Sequence, residues 1–106
     1  MYPESNNLIH LVRQWGRERG LTEEQVSHPQ MSKLMEEVGE LASAINKKQP
    51  SAIRDELGDC VVVLTILAAQ NGLLLEHCIE DAYNKIKNRK GKMIDGTFVK
   101  EEDLAA

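Results

Sequence analysis

The chain has 106 residues, 42% of them apolar, and a formal net charge of −4. That length makes a single compact domain with a modest core, of the kind small helical domains often complete by oligomerising. The negative balance argues against whole-domain affinity for nucleic acid, and the longest low-polarity run, "CVVVLTILAA", is too short to span a bilayer.

The opening "MYPESNNLIHLVRQWG" lacks the basic-then-apolar order of a secretory signal, so a cytoplasmic protein is expected. Cys60 and Cys78, each in an apolar stretch, read as buried free thiols. Four segments carry helical periodicity. The first, about 5–19, places Leu8, Leu11, Val12 and Trp15 on one stripe and stops at Gly20. The second, about 29–47, aligns Met31, Leu34, Met35, Val38, Leu41, Ala42 and Ile45. The third, about 51–71, aligns Ile53, Leu57, Cys60, Val61, Leu64, Leu67 and Ala68. The fourth, about 74–90, carries Leu75, Cys78, Ile79, Ala82 and Ile86. Pro29 and Pro50 stand where a first helical turn tolerates a missing N–H, and Gly20, Gly72 and Gly91 where helices end. In the tail, about 91–106, "MIDGTFV" suggests a hairpin around Asp95-Gly96. The expected fold is all-α, a four-helix bundle in one domain over residues 1–106.

The second and third segments share an acidic pattern. At about 100° per residue, Glu36, Glu37 and Glu40 fall within one arc, as do Asp55, Glu56 and Asp59. In the second segment this arc lies roughly opposite the apolar stripe, which admits a solvated acidic face. In the third, the arc continues into Val62, Val63 and Ile66. A water-facing surface would not turn apolar one turn later, so these acids belong at the mouth of a packed interface. Carboxylates about 4 Å apart repel by about 4 kcal/mol at an effective dielectric of ~20, so either their pKa values rise or a cation joins them. Oxygen donors alone suit Mg²⁺, with Mn²⁺ as a substitute, better than zinc. A redox-metal bundle would need Glu-x-x-His pairs, and His10, His28 and His77 each lack the upstream glutamate.

"KLMEEVGELASAI" followed by "RDELGDCVVVL" resembles the E-E-x-x-E … E-x-x-D signature of the MazG-like nucleoside triphosphate pyrophosphohydrolases. The resemblance runs through essentially the whole chain. It implies an α-helical bundle that dimerises tightly and often pairs into tetramers. It also implies an enzyme cleaving the α–β phosphoanhydride of (d)NTPs to monophosphate and pyrophosphate, in nucleotide-pool house-cleaning. Carried over, the Mg²⁺ ligands are Glu37, Glu40, Glu56 and Asp59. Glu36 and Asp55 flank them as candidates to orient or deprotonate the attacking water.

Lys85, Asn88 and Arg89 match a "K…N-R" element that follows the fourth helix in similar enzymes, where it contacts phosphate or sugar. The cations of "NKIKNRKGK", Lys87 and Lys90 above all, also suit a solvated helix C-terminus. Trp15 is either core packing or a stacking platform for the base, with His10 or Gln14 reading the base edge. Lys33 shares the arc of Glu36 and Glu40, as an ion-pair partner or a phosphate contact. The competing reading is a non-enzymatic helical module that dimerises or binds nucleotide without turnover.

Overall fold

A computed structural model describes residues 5–23 and 27–104. Its element order is α1 (Ser5–Glu18), α2 (His28–Asn46), α3 (Pro50–Gln70), α4 (Leu75–Ile86), β1 (Gly91–Ile94), β2 (Thr97–Lys100) and a single turn, α5 (Glu101–Leu104). The first three helices fall within a residue of the expected limits. Pro29 and Pro50 lie in the first turns of α2 and α3, where their fixed φ is already helical. α2 ends on a left-handed Lys48 (φ 54), with the Lys48 and Gln49 N–H groups donating back to the Ile45 and Ala44 carbonyls. α4 stops earlier than expected, at Ile86, because the chain tightens there. The Arg89 N–H donates to the Ile86 carbonyl at 2.9 Å before β1 begins.

The chain divides into two compact units, one through Glu76 and the other from His77 onward. In the first, α3 packs along α2 and against α1. Among the described residues, the buried ones are Ile9, Arg13 and Gly16 of α1, Glu37 and Ala44 of α2, and Val63, Thr65, Ile66 and Gln70 of α3. Gly16 sits on Ile66 so closely that a Cβ there would overlap the isoleucine's Cδ1. Arg13 donates from both terminal nitrogens to the two carboxylate oxygens of Glu76, at 2.6 and 2.7 Å, which ties α1 to the first turn of α4. Gln70 donates to the Leu21 carbonyl at 2.9 Å and Asn71 to the Ser27 hydroxyl at 3.3 Å, so the end of α3 holds both sides of the α1–α2 connection.

The apolar stripes do not form this core. Leu8, Leu11, Trp15, Met31, Met35, Val38, Ile45, Leu57, Val61 and Leu64 are all exposed in the single chain. On the α2 wheel the stripe lies about 100° round from Glu37, and it is the Glu37–Ala44 face that meets α3. The solvated face considered for the α2 acids is therefore corrected at Glu37, which is 6% exposed. Cys60 and Cys78 are free thiols, half-buried rather than buried. Among the described residues, no single helix is long and apolar enough to cross a membrane.

In the second unit, β1 and β2 form an antiparallel hairpin with Gly91 opposite Lys100 and Ile94 opposite Thr97. Asp95 (φ 49) and Gly96 (φ 81) make its two-residue turn, both left-handed as a type I′ turn demands.

Candidate metal centre and apolar groove

The α2–α3 seam brings together acids from both helices. Glu37 of α2 and Glu56 and Asp59 of α3 each offer a carboxylate oxygen, and these oxygens lie within 4.8 Å of one another. One Glu37 oxygen and one Glu56 oxygen are buried with no hydrogen-bond partner. A buried acceptor left empty is costly, so the seam tolerates these two only where something else satisfies them. Glu40, one turn along α2, is exposed but close enough to hydrogen-bond to both Glu37 and Glu56. Lys33 Nζ lies 3.4 Å from Glu37 Oε1, the i,i+4 pair. Glu36 and Asp55 are exposed at the rim.

Crowding shows in the protonation. The Glu56 carboxyl is pushed up to about 7 by its hydrogen bond with Glu37, by burial and by the charge of Glu40. Glu37 is held below the ordinary carboxylate range, chiefly because Glu56 donates to it and secondarily because Lys33 does. Glu56 is thus the seam carboxyl that keeps its proton toward neutral pH, with Glu37 accepting it. Burial raises the Cys60 thiol, and the charges of Glu37, Glu56 and Asp59 raise it further, so sulfur stays protonated beside the acids. The available donors are thus oxygens only, and they fit a hard divalent cation with Glu37, Glu56 and Asp59 as nearest ligands and Glu40 beside them.

Residues 25–94 match the family described as the MazG nucleotide pyrophosphohydrolase domain, a span that holds both acidic helices. The chain belongs to the MazG family. A 64-residue stretch is 48% identical to the "Uncharacterized 18.2 kDa protein in rep-hol intergenic region" of Haemophilus phage HP1 (strain HP1c1), covering 60% of this chain and 39% of that protein. The chain thus spans well under half the length of that relative. No solved structure matches it.

This MazG domain carries an apolar groove of about 340 Å3 between α1 and α3, lined by Leu8, Leu11, Val12, Trp15 and Val62. Val62 stands three residues beyond Asp59, about 4.5 Å along the axis, so the groove opens one turn from the acids. Trp15 is half-exposed in it, with the Arg19 guanidinium 4.4 Å from its ring centre. His10 and Gln14 lie on the exposed side of α1, outside the groove lining. Lys85, Asn88 and Arg89 line a separate cavity in the second unit. Val62 reads in the sequence only as part of the apolar arc beyond Asp59, and its place in the groove lining comes from the packing of α1 on α3.

Proposed function

We propose that this MazG-family chain is a Mg²⁺-dependent nucleoside triphosphate pyrophosphohydrolase, with Mn²⁺ able to substitute. It would convert (d)NTP and water to (d)NMP and pyrophosphate by breaking the α–β phosphoanhydride, acting in the cytoplasm on the nucleotide pool. The observation that carries this is the convergence of the Glu37, Glu56 and Asp59 oxygens within 4.8 Å, two of those carboxylates each keeping a buried oxygen unpartnered.

Glu37, Glu40, Glu56 and Asp59 hold the ion in this reading. When bound, Mg²⁺ neutralises phosphate oxygens, polarises phosphorus and lowers the pKa of a water. The chain's own groups do the rest. A carboxylate oxygen of Glu36, or failing that of Asp55, accepts the proton of the attacking water, since both stand at the rim outside the ligand set. Lys33 pairs with Glu37 across one helical turn and would be available to a phosphate oxygen if a cation satisfied that carboxylate. The Trp15 groove takes the base, whose face stacks on the indole. His10 and Gln14 remain candidates for the base edge and Lys85, Asn88 and Arg89 for phosphate or sugar.

The exposed faces of α2 and α3 support a homodimer or homotetramer. Met35, Val38, Ile45, Leu57, Val61 and Leu64 are all exposed in the single chain, apolar area that a second copy would cover. Sedimentation should therefore give at least twice the chain mass.

The deciding experiment incubates the protein with each dNTP and Mg²⁺ and resolves products by ion exchange. Monophosphate plus pyrophosphate is expected, abolished in Glu40→Gln and Glu56→Gln with helical content retained. Orthophosphate alone rejects α–β cleavage. Nucleotide binding without turnover would favour the non-enzymatic module.

A further inference from the structure

The hairpin has no part in the reading above, and its register places one residue with unusual economy. The two-residue turn at Asp95-Gly96 sets Gly91 opposite Lys100, so β2 ends beside Lys90, in the link between α4 and β1. The Glu101 N–H then donates to the Lys90 carbonyl at 2.8 Å and fixes the return. Gly91 cannot be replaced here, because a Cβ would run into the Val99 carbonyl and the Phe98 ring lying across it. The result is a cavity of about 330 Å3, lined by Lys85, Asn88, Arg89 and Lys90 from one side and by Lys100 and the two glutamates after it from the other.

Four cations face two carboxylates, an excess of two positive charges. Lys100 Nζ is 3.9 Å from Glu102 Oε1, the outer limit of an ion pair, with the glutamate largely in water. Such a pair is weak and readily exchanged. Among the described residues, Lys85, Arg89 and Lys90 have no carboxylate within ion-pair distance. A solvated helix end accounts for Lys85 of α4 and for Arg89 and Lys90 just past it, but not for Lys100, which the chain returns from ten residues further on. Arg89 offers a planar fork and the lysines point charges, the donor set that phosphate oxygens accept.

We propose that Lys100 is a phosphate-contact residue: the hairpin delivers it to Lys85, Arg89 and Lys90, and the four form a cavity for the phosphate chain of a nucleotide, a di- or triphosphate anion. The nucleotide as source rests on the pyrophosphohydrolase reading; the anion site does not. Its affinity needs no metal and falls with ionic strength.

The test is calorimetry on the full chain in EDTA, with pyrophosphate and with an α,β-methylene deoxynucleoside triphosphate as probes. Both should bind. Lys100→Ala should weaken both about tenfold, Lys100→Arg should restore them, and Lys92→Ala, on the other face of the hairpin, should change them by less than about twofold. Equal losses in Lys100→Ala and Lys92→Ala, or no binding in EDTA, overturn the site. A Lys100 effect on pyrophosphate alone overturns the nucleotide assignment. Because Glu56→Gln should leave this binding intact, a protein that binds pyrophosphate yet hydrolyses no nucleotide keeps the cavity while the enzymatic reading falls.

Discussion

The two sides of α2 are built the wrong way round for a water-soluble helix. Its inner face, against α3, carries a buried glutamate, while its outer face carries Met31, Met35, Val38 and Ile45. α3 does the same, turning Glu56 into the seam and Leu57, Val61 and Leu64 outward. Hydrophobicity alone would rotate both helices, because each apolar side chain fully buried is worth about 1.5–3 kcal/mol. Under the proposed function, the inward acids are kept for a cation and the outward apolar faces for a second copy of the chain.

The sharpest way to break this contrast is to remove one seam charge. Glu56→Gln should cost at least about a hundredfold in turnover, measured by pyrophosphate release. The same substitution should raise the melting temperature of the metal-free protein at pH 8, because it removes the group whose ionisation the seam resists. Loss of activity with loss of stability would make Glu56 an ordinary structural residue. Next in size is the outward face. Val61→Glu should reduce the sedimenting mass to that of one chain while leaving helical content unchanged; an unaltered mass would detach that face from assembly.

Smaller effects test the scaffold. Arg13→Ala removes both hydrogen bonds that the guanidinium donates to Glu76 and should cost about 1.5–3 kcal/mol in urea unfolding. Gly16→Ala pushes a methyl into Ile66 and should cost about 1–3 kcal/mol. Metal-free stability should also depend on pH with a defined sign. Glu56 ionises at about 7 in the folded chain, above its ordinary 4.5. Its contribution is therefore fully present below 4.5 and is lost as pH rises to about 7. Glu37, shifted downward, contributes the opposite slope below 4.5. Saturating Mg²⁺ should abolish the decline on the alkaline side.

Much of this was legible in the residues. Periodicity and prolines place the long helices, and Asp95-Gly96 signals the hairpin. The arc arithmetic groups the acids within each segment, and it is the family resemblance that implies Glu37, Glu56 and Asp59 share one ion. What a helical wheel does not contain is which of two plausible faces a neighbouring helix will take. α2 and α3 each have an apolar stripe and an acid-bearing arc, and only packing shows that the arc turns inward, with the Val63 and Ile66 that follow Glu56 and Asp59 completing it. The places of Val62 and Lys100 stayed hidden for a related reason. Each gains meaning from a neighbour far along the chain, Trp15 for one and Lys85 for the other. The exposed positions of His10 and Gln14, outside the groove lining, likewise depend on how α1 rolls against α3.

Mn²⁺ titration followed by the EPR signal of the free ion, at pH 6, 7 and 8, tests most directly whether the seam is a cation cage. Binding should tighten about fivefold from pH 6 to 7 and about twofold from 7 to 8, as Glu56 gives up its proton, and should vanish in Glu56→Gln. Affinity that is flat across this range and survives Glu56→Gln would contradict the cage.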